Sequence, residues 1–383
     1  RAAQMLLVAD HRAQASLLLK RSYVEEKLGK FAEALRYADQ ARDQLKSVPG
    51  AESARLLAEL SSWCAQLFHY QGHNAEAIEW AERSVRESEA AGDKNWLGEA
   101  YYVMSMAHAQ LGKEGARALM ERSLEAFQQT ENLARQAGVV LNLGAVCHWE
   151  GQWDEALAFY ERGREANLKV GNRVGAGIAR LNTSEILVDR GEWSEAETLL
   201  LETLPLWKAS QYRYFLAACL SVLGRASLRL GRKEEALARL EEAKASFQHV
   251  GAEEEIPSVD ARIAECWLEL DRLDDVIALT SAMIERASES QATARMIPLV
   301  QRLHAHALLK QGDLWGARDA LEASLAVARE KRNLFETLLT TLSLIQLDRL
   351  EGIEPPIETQ DESRLLLSQL KVRAVPPVPM PVE

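Results

Sequence analysis

Few groups of residues in this sequence have the types and the spacing that chemistry requires. His304 and His306 are two positions apart, so on a helix their side chains point about 200° apart and cannot share a metal ion. The glycine–lysine pairs at 29–30 and 112–113 lack the upstream glycine and the following hydroxyl of a phosphate-binding loop. We interpret the glutamates at 253–255 as solvated charge in a loop. The sequence therefore predicts no catalytic residue, no metal site and no cofactor.

The composition is that of an acidic, helix-rich protein. Its 383 residues are 47% hydrophobic and 27% charged, with only 21 glycines and 10 prolines. The formal charge of −12 and the lack of any lysine- or arginine-rich block argue against nucleic acid as a partner, because nucleic acid requires a clustered basic face. The longest apolar run, at 214–224, is too short to span a membrane. We predict a cytoplasmic protein with no membrane partner.

The four cysteines are far apart in apolar stretches and form no CxxC pair. They are Cys64, Cys147, Cys219 and Cys266. We expect buried, reduced thiols, which agrees with a cytoplasmic location. The sequence opens with Arg1 rather than methionine, and we interpret this as a sign that the chain is part of a longer protein.

A repeat with a period of 39 to 43 residues runs through most of the chain. Residues 150–160 read EGQWDEALAFY, and related segments precede and follow them. With the glycine of GQWDEA as the anchor, the series is Gly29, Gly72, Gly112, Gly151, Gly191, Gly231, Asp271 and Gly312. Such regularity predicts a stacked array in which each unit packs on its neighbours.

Small residues recur at three fixed positions around each anchor. Seven residues before it stand Ser22, Ala65, Ser105, Gly144, Ser184, Gly224, Ala264 and Ala305. Five residues after it, or four in the third unit, stand Ala34, Ala77, Ala116, Ala156, Ala196, Ala236, Val276 and Ala317. A third column, seven residues further on, is small in every unit except at Met283. Two helices approach closely only where their contact residues lack bulk, so the columns predict helix crossings.

Each unit is therefore predicted to be a helix–turn–helix hairpin. Apolar residues follow helical spacing on both sides of the anchor, as in LNLGAVCHW before Gly151 and ALAFYERG after it. The glycine suits the position that ends the first helix in a left-handed conformation. The acidic residues that follow suit the opening turn of the second helix.

This pattern resembles the tetratricopeptide repeat family over residues 9–332. In one unit the residues that match the register of the family are Leu143, Gly144, Gly151, Ala156, Tyr160 and Gly163. The period is longer than the usual ~34 residues, and the proline that usually ends a unit is missing, as in the repeats of kinesin light chains and of regulatory arms in bacterial signalling proteins. The resemblance implies an all-α, right-handed α-solenoid of about eight hairpins with C-terminal capping helices.

We predict three segments along the chain. Residues 1–352 form the solenoid, which ends in a capping helix at 333–350. Two consecutive prolines at 355–356 stop the pattern, and residues 353–372 form a linker with a short helix. Residues 373–383 are rich in proline, and we expect them to form a disordered tail.

The resemblance also implies where a partner would bind. In such arrays the first helices line a concave groove, where asparagine commonly bonds the backbone of an extended peptide; Asn142 and Asn182 stand at that register in adjacent units. The other candidate groove residues are Tyr102, His148, Trp149, Arg225 and Arg262. The arginines would favour an acidic or carboxylate-bearing segment. The alternative is that the two asparagines are ordinary polar residues.

These observations leave two main hypotheses open. The first is a non-catalytic scaffold or sensor module that binds a protein or peptide segment in its groove. The second is the C-terminal regulatory region of a larger bacterial signalling protein, such as a nucleotide cyclase, a STAND ATPase or a LuxR-type activator, whose other domains would be partners of this chain. A small-molecule effector within the superhelix is a third hypothesis, which no motif supports.

Overall fold

A computed structural model describes residues 2–46, 48–111, 113–209 and 212–379 of the protein. Over these ranges every regular element is a helix, as the sequence predicts. The chain divides by its internal contacts into two compact units, unit 1 (residues 1–143) and unit 2 (residues 144–383). Within the described ranges, none of the helices is long and apolar enough to cross a membrane.

Unit 1 contains six helices and most of a seventh. They are α1 (Ala2–Lys27), α2 (Phe31–Leu45), α3 (Ala51–Tyr70), α4 (Asn74–Ala91), α5 (Lys94–Gln110), α6 (Ala116–Gln128) and α7 (Leu133–Trp149), whose last turns belong to unit 2. The first six form three hairpins: α1 packs on α2, α3 on α4 and α5 on α6.

Unit 2 continues the same alternation. Its further helices are α8 (Trp153–Lys169), α9 (Arg173–Arg190), α10 (Trp193–Ala209), α11 (Arg213–Arg229), α12 (Lys233–His249), α13 (Ile256–Glu269), α14 (Leu273–Glu285), α15 (Gln291–Lys310), α16 (Leu314–Glu330), α17 (Leu334–Leu350) and α18 (Ile357–Leu370). A single 3₁₀ turn, Glu253–Glu255, precedes α13. The eight predicted hairpins are α1–α2 to α15–α16, and the all-α repeat fold is confirmed.

The anchor residues adopt the left-handed conformation expected where the first helix of a hairpin ends. Gly151 has φ +74°, and the other described anchor glycines have similar values. Asp271, the one anchor that is not glycine, has φ +58°, which an aspartate tolerates better than most residues. Gly112 lies outside the described residues.

The small-residue columns mark the crossings between the two helices of a hairpin. The Ser22 hydroxyl donates to the carbonyl of Ala34 at 2.6 Å, which joins a residue of the first column to one of the second. In α11, Gly224 takes the place of the serine, and a Cβ there would lie 2.7 Å from Leu240 Cγ and 3.2 Å from the carbonyl of Ala236. The columns are small because a helix backbone lies directly against them.

Apolar side chains fill the space between the hairpins. Among the largest fully buried side chains are Phe127 in unit 1 and Tyr160 and Trp207 in unit 2. All four cysteines are buried free thiols, as expected. Burial of each large side chain contributes about 1.5–3 kcal/mol, so the repeated core is the main source of stability.

The last elements of unit 2 return to its first hairpin. The Trp153 ring, at the start of α8, lies 5.5 Å from the ring of Phe335 in α17, centroid to centroid. A Cβ at Gly151 would collide with Leu334 and contact Leu370, so the glycine allows this close return. The helices predicted at 333–350 and within 353–372 correspond to α17 and α18. The predicted boundary at 352 stays a prediction.

The segment after α18 follows a defined path. The sequence predicts a disordered tail from residue 373, but residues 373–379 lie against the first helices of unit 2 without regular secondary structure. The rest of the predicted tail, residues 380–383, is outside the described residues.

Substituting the two types of helical glycine should change stability in opposite directions. Gly224→Ala should lower the free energy of unfolding by ~1–3 kcal/mol, because its Cβ would collide with Leu240 and crowd a backbone carbonyl. Gly138→Ala, in α7, should raise it by ~0.5–1 kcal/mol, because the site is exposed and no atom lies within 4 Å of the new Cβ. Urea unfolding followed by circular dichroism measures both, and equal effects of the two changes would contradict the crossing geometry.

Candidate functional site

The first helices of the hairpins in unit 2 carry a cluster of charged side chains that face one another. We call this cluster the inner charge row; its members are Glu185, Asp189, Arg225, Arg229, Arg262, Glu265, Arg302 and Glu336. It extends over α9, α11, α13, α15 and α17. The charges of distant members influence one another, as Asp189 and Glu336 both act on Arg262, so the row is one continuous electrostatic environment.

Most members of the row are paired across neighbouring first helices. Arg225 pairs with Asp189, and the Arg229 guanidinium donates to the carboxylate of Glu265. Removing one partner of a buried pair costs about 3–5 kcal/mol, since the other charge is left uncompensated. These pairs therefore fix how successive first helices sit against each other.

The best-buried pair lies at the C-terminal end of the row. Arg302 Nε donates to Glu336 Oε2 at 2.9 Å, and the two side chains are only 2% and 7% exposed. Nearby, burial lowers the pKa of His306 to about 3, and its Nε2 lies 2.9 Å from Ser343 Oγ. The imidazole is therefore neutral at pH 7 and acts as a hydrogen-bonding group.

Glu265 is ionised within the row despite its burial. Burial alone would raise the pKa of its carboxyl, but the guanidiniums of Arg229, Arg262 and Arg302 lower it well below the usual range. Arg262 Nη1 donates to Glu265 Oε2 at 3.1 Å. One carboxylate thus compensates two arginines, and the positive charge of this part of the row is largely cancelled.

Glu185 is the member of the row that differs from the rest. Among the described residues it forms no ion pair; the guanidinium that acts on it most strongly, that of Arg225, pairs with Asp189. The pKa of Glu185 is raised to about 7, mainly by burial; the charges of Asp189 and Glu255 also raise it, and those of Arg225 and Arg262 lower it. A carboxyl that is half ionised near neutral pH can accept a proton or a cationic group.

Two residues of the predicted groove, Tyr102 and Asn142, lie in unit 1 and contact each other. Asn142 Nδ2 donates to Tyr102 Oη at 3.0 Å, and both side chains are partly buried. Burial raises the pKa of Tyr102, so its phenol keeps its proton. The amide therefore already has one partner within the fold.

Asn182, in unit 2, has a comparable partner. Its side chain is hydrogen-bonded to the buried Tyr160. Other members of the same register, such as Val222 and Leu303, are buried in the core. This register therefore lies closer to the hydrophobic core than the resemblance implies. The roles of Asn142 and Asn182 in binding stay predictions.

The remaining predicted residues of unit 2 differ in their accessibility. His148 lies beside the Trp153 ring, with centroids 6.1 Å apart, and burial lowers the pKa of the imidazole. Trp149 is 73% exposed. It stands two residues before its anchor, as do Asp189 and Arg229 of the inner charge row, so it occupies the same register position at the end of α7.

The sequence contained a signal for the residues that were missed. Six residues before successive anchors stand Glu185, Arg225, Glu265 and His306. Two residues before the same anchors stand Asp189, Arg229, Glu269 and Lys310. The sign of the charge alternates from unit to unit in both sets until His306, and adjacent first helices bring opposite charges together. Arg225 and Arg262, predicted as contacts for an acidic segment, belong to the inner charge row and already pair with Asp189 and Glu265.

An extended segment, which we call the strap (residues 371–379), lies against these first helices. Together with α15, α17 and α18 it lines a half-open cavity of about 470 Å³. The polar residues that line the cavity are Arg302, His306, Ser343, Gln346, Arg349, Gln360, Ser363 and Arg364. Its apolar lining comes from four strap residues, Val375 to Val378, and from Leu339, Leu342 and Ile345 of α17. In the described part of the chain, no three histidine, cysteine or acidic side chains could hold a metal ion.

Comparisons with known proteins agree on the type of repeat. Two family models, both described as tetratricopeptide repeat, match residues 136–209 and 216–250. No curated protein sequence matches the chain.

Solved structures extend the similarity over nearly the whole chain. A Rap protein complexed with competence and sporulation factor has a TM-score of 0.64 at 13% identity, covering 94% of this chain and 97% of that one. The apo form of the quorum sensor NprR from B. thuringiensis has a TM-score of 0.60 at 13% identity, covering 82% and 87%. The Rap conjugation gene regulator of the plasmid pLS20, in complex with the Phr* peptide, has a TM-score of 0.56 at 12% identity, covering 85% and 96%.

At such low identity these structures establish the fold alone. The family models identify the repeat itself, and the anchor turns and small-residue crossings account for it physically. The chain therefore contains tetratricopeptide repeats over residues 136–209 and 216–250.

Proposed function

We propose that the surface around the inner charge row binds an extended peptide segment of a partner, and that the chain is a non-catalytic interaction module. The observation that carries this proposal is the strap, which is itself an extended polypeptide lying on that surface. The Arg373 N–H donates to the carbonyl of Arg190 at 2.7 Å, at the end of α9. Main-chain bonding of this kind is independent of side-chain identity, so another extended segment could form it.

The comparisons support a peptide as the ligand. The Rap regulator of pLS20 is in complex with the Phr* peptide, and its helical repeats cover 85% of this chain. A fold of this type can therefore bind a peptide. The hypothesis that the chain is the regulatory part of a larger bacterial signalling protein stays open beside this proposal.

The charges of the site favour a ligand with a basic group. Arg225 and Arg262 already have carboxylate partners, so the reason for expecting an acidic segment is weakened. Glu185 is the unpaired group of the row, and Glu255 is close enough to raise its pKa. A basic side chain would supply the counter-charge that the fold leaves missing, and the net charge of −12 would assist its approach.

Peptides selected on the full chain from a random display library should depend on Trp149. Trp149→Ala should weaken their binding about tenfold, because an exposed aromatic next to a groove supplies a large apolar contact. Trp315→Ala is the matched control, since this tryptophan is 80% exposed but stands in the opening turn of a second helix, α16. Fluorescence anisotropy with labelled peptides measures both, and equal losses, or none, would count against the proposed surface.

Turnover of a nucleotide substrate by the chain would contradict the non-catalytic assignment.

Binding of a basic, histidine-free peptide should strengthen as pH rises through about 7, the pKa of Glu185. The carboxyl is protonated below this pH and gains its negative charge above it. If the bound cation lowers the pKa by about one unit, affinity should rise up to about tenfold from acid to alkaline pH. Glu185→Gln should remove this dependence and leave the weak, low-pH affinity at every pH.

The charged groups near Glu185 are consistent with assigning the pH dependence of binding to Glu185 itself. The guanidiniums of Arg225 and Arg262 keep their charge on both sides of neutral pH, and burial lowers the pKa of the His148 imidazole. Isothermal titration between about pH 6 and about pH 8 is the measurement. An unchanged slope in Glu185→Gln would show that another group is responsible.

A further inference from the structure

We propose that the strap is an internal ligand of the peptide-binding surface, and that the partner which displaces it is an extended segment of the same class, with basic residues followed by valine and proline. This inference rests on the proposed function and names the ligand class. The strap reads KVRAVPPVP, from Lys371 to Pro379.

The end of α18 delivers the strap to the surface. Leu370, the last residue of α18, is buried, and its carbonyl accepts a hydrogen bond from Arg190 Nε at 3.1 Å. Lys371 follows with φ +54°, a left-handed conformation that ends the helix and redirects the chain. The strap therefore starts from a fixed point beside α9.

The two basic residues of the strap meet acidic residues of the first hairpins in unit 2. Lys371 Nζ lies 2.5 Å from Asp154 Oδ2, and Arg373 Nη1 lies 3.4 Å from Glu192 Oε2. Asp154 also accepts a bond from Arg190 at 2.6 Å, so one carboxylate joins the strap to the end of α9. The surface thus already selects basic side chains at this end.

The strap backbone uses the end of α9 as a docking point. The N–H groups of Arg373 and Ala374 both point to the Arg190 carbonyl, at 2.7 and 3.4 Å. Ala374 lies within 2.6 Å of the place where a Cβ on Gly191 would be. At the anchors Gly231 and Gly312 no atom lies within 4 Å of that place, so close approach of a second backbone is a special property of this turn.

The apolar half of the strap only partly fills the site. Val378 packs against the hydrophobic cluster of α15, α16 and α17, which includes Leu344 and Leu347. The cavity of about 470 Å³ remains beneath Val375, Pro376, Pro377 and Val378. Proline keeps the segment extended at low entropic cost, but larger side chains at these positions would add contacts that valine and proline leave unmade. A ligand that keeps the basic residues and carries larger apolar side chains at some of the valine and proline positions can therefore bind more tightly than the strap.

The contacts of the strap are suited to exchange. The side chains of Lys371 and Arg373 are 63% and 74% exposed, and such surface ion pairs stabilise weakly. The strap is held mainly because it is tethered, at an effective concentration on the order of millimolar. A partner present at sufficient concentration can replace it without unfolding the helices.

Anisotropy titration of labelled KVRAVPPVP peptide against the full chain tests the proposal. Lys371→Glu with Arg373→Glu should oppose Asp154 and Glu192, loosen the strap, and increase the affinity for the added peptide at least about threefold over the wild type. Lys169→Glu with Arg295→Glu is the matched control, because both side chains are exposed and neither lines the cavity nor forms an ion pair with the strap, and it should match the wild type. The peptide EVEAVPPVP should not bind any of these chains.

Equal affinity of the peptide for the wild type and for the loosened variant would overturn the inference. A chain ended after Lys371 provides a second variant, and failure of the peptide to bind it at saturation, with its thermal transition retained, would also overturn the inference. If the truncated chain does not fold, the double substitution decides. If display peptides require Trp149 but bind the wild type and the loosened variant equally, the inference fails and the proposed function stands. If no display peptide requires Trp149, the proposed function fails.

Discussion

The fold depends on how closely the two helices of each hairpin can approach. At each crossing a small residue of the first helix meets the backbone of the second, as Ser22 meets the Ala34 carbonyl and Gly224 meets that of Ala236. A larger side chain there would separate the helices, and the anchor turn, which needs a left-handed residue, could not close with the same geometry. Because the same crossing recurs in successive repeats, the first helices are stacked at a fixed spacing, and that spacing brings their charged side chains into register.

The inner charge row is a consequence of this register. Charges that would be unfavourable alone are placed beside opposite charges on the next helix, and the pairs hold the stack together. In the proposed function, recognition is left to groups whose charge the fold does not cancel, above all Glu185, and to exposed surface such as that of Trp149. Structural and binding roles are thus separated within one surface, since the recurring residues build it and the uncompensated ones remain available.

The sequence predicted the parts of the structure that depend on local pattern. Anchor, column and helix periodicity appear within one repeat, so the hairpins, the turn at Gly151 and the buried cysteines could be read directly. The pairing of Arg225 with Asp189 could not, because it depends on which helices become neighbours, although the alternating charge was visible. The path of the strap had no local signal at all: prolines and valines read as disorder, and the residue that receives them, Arg190, is about 180 positions away in the sequence.

The attachment of the strap to α18 has a consequence for any response that the chain mediates. A competitor carried on the same polypeptide is present at the same local level whether the cell makes few copies or many. If the strap is the internal ligand that we propose, the ligand level at which half of the molecules respond is set by the sequence of the strap and not by expression. Single substitutions between Lys371 and Val378 could therefore shift the set point of the system upward or downward while the helical array stays intact.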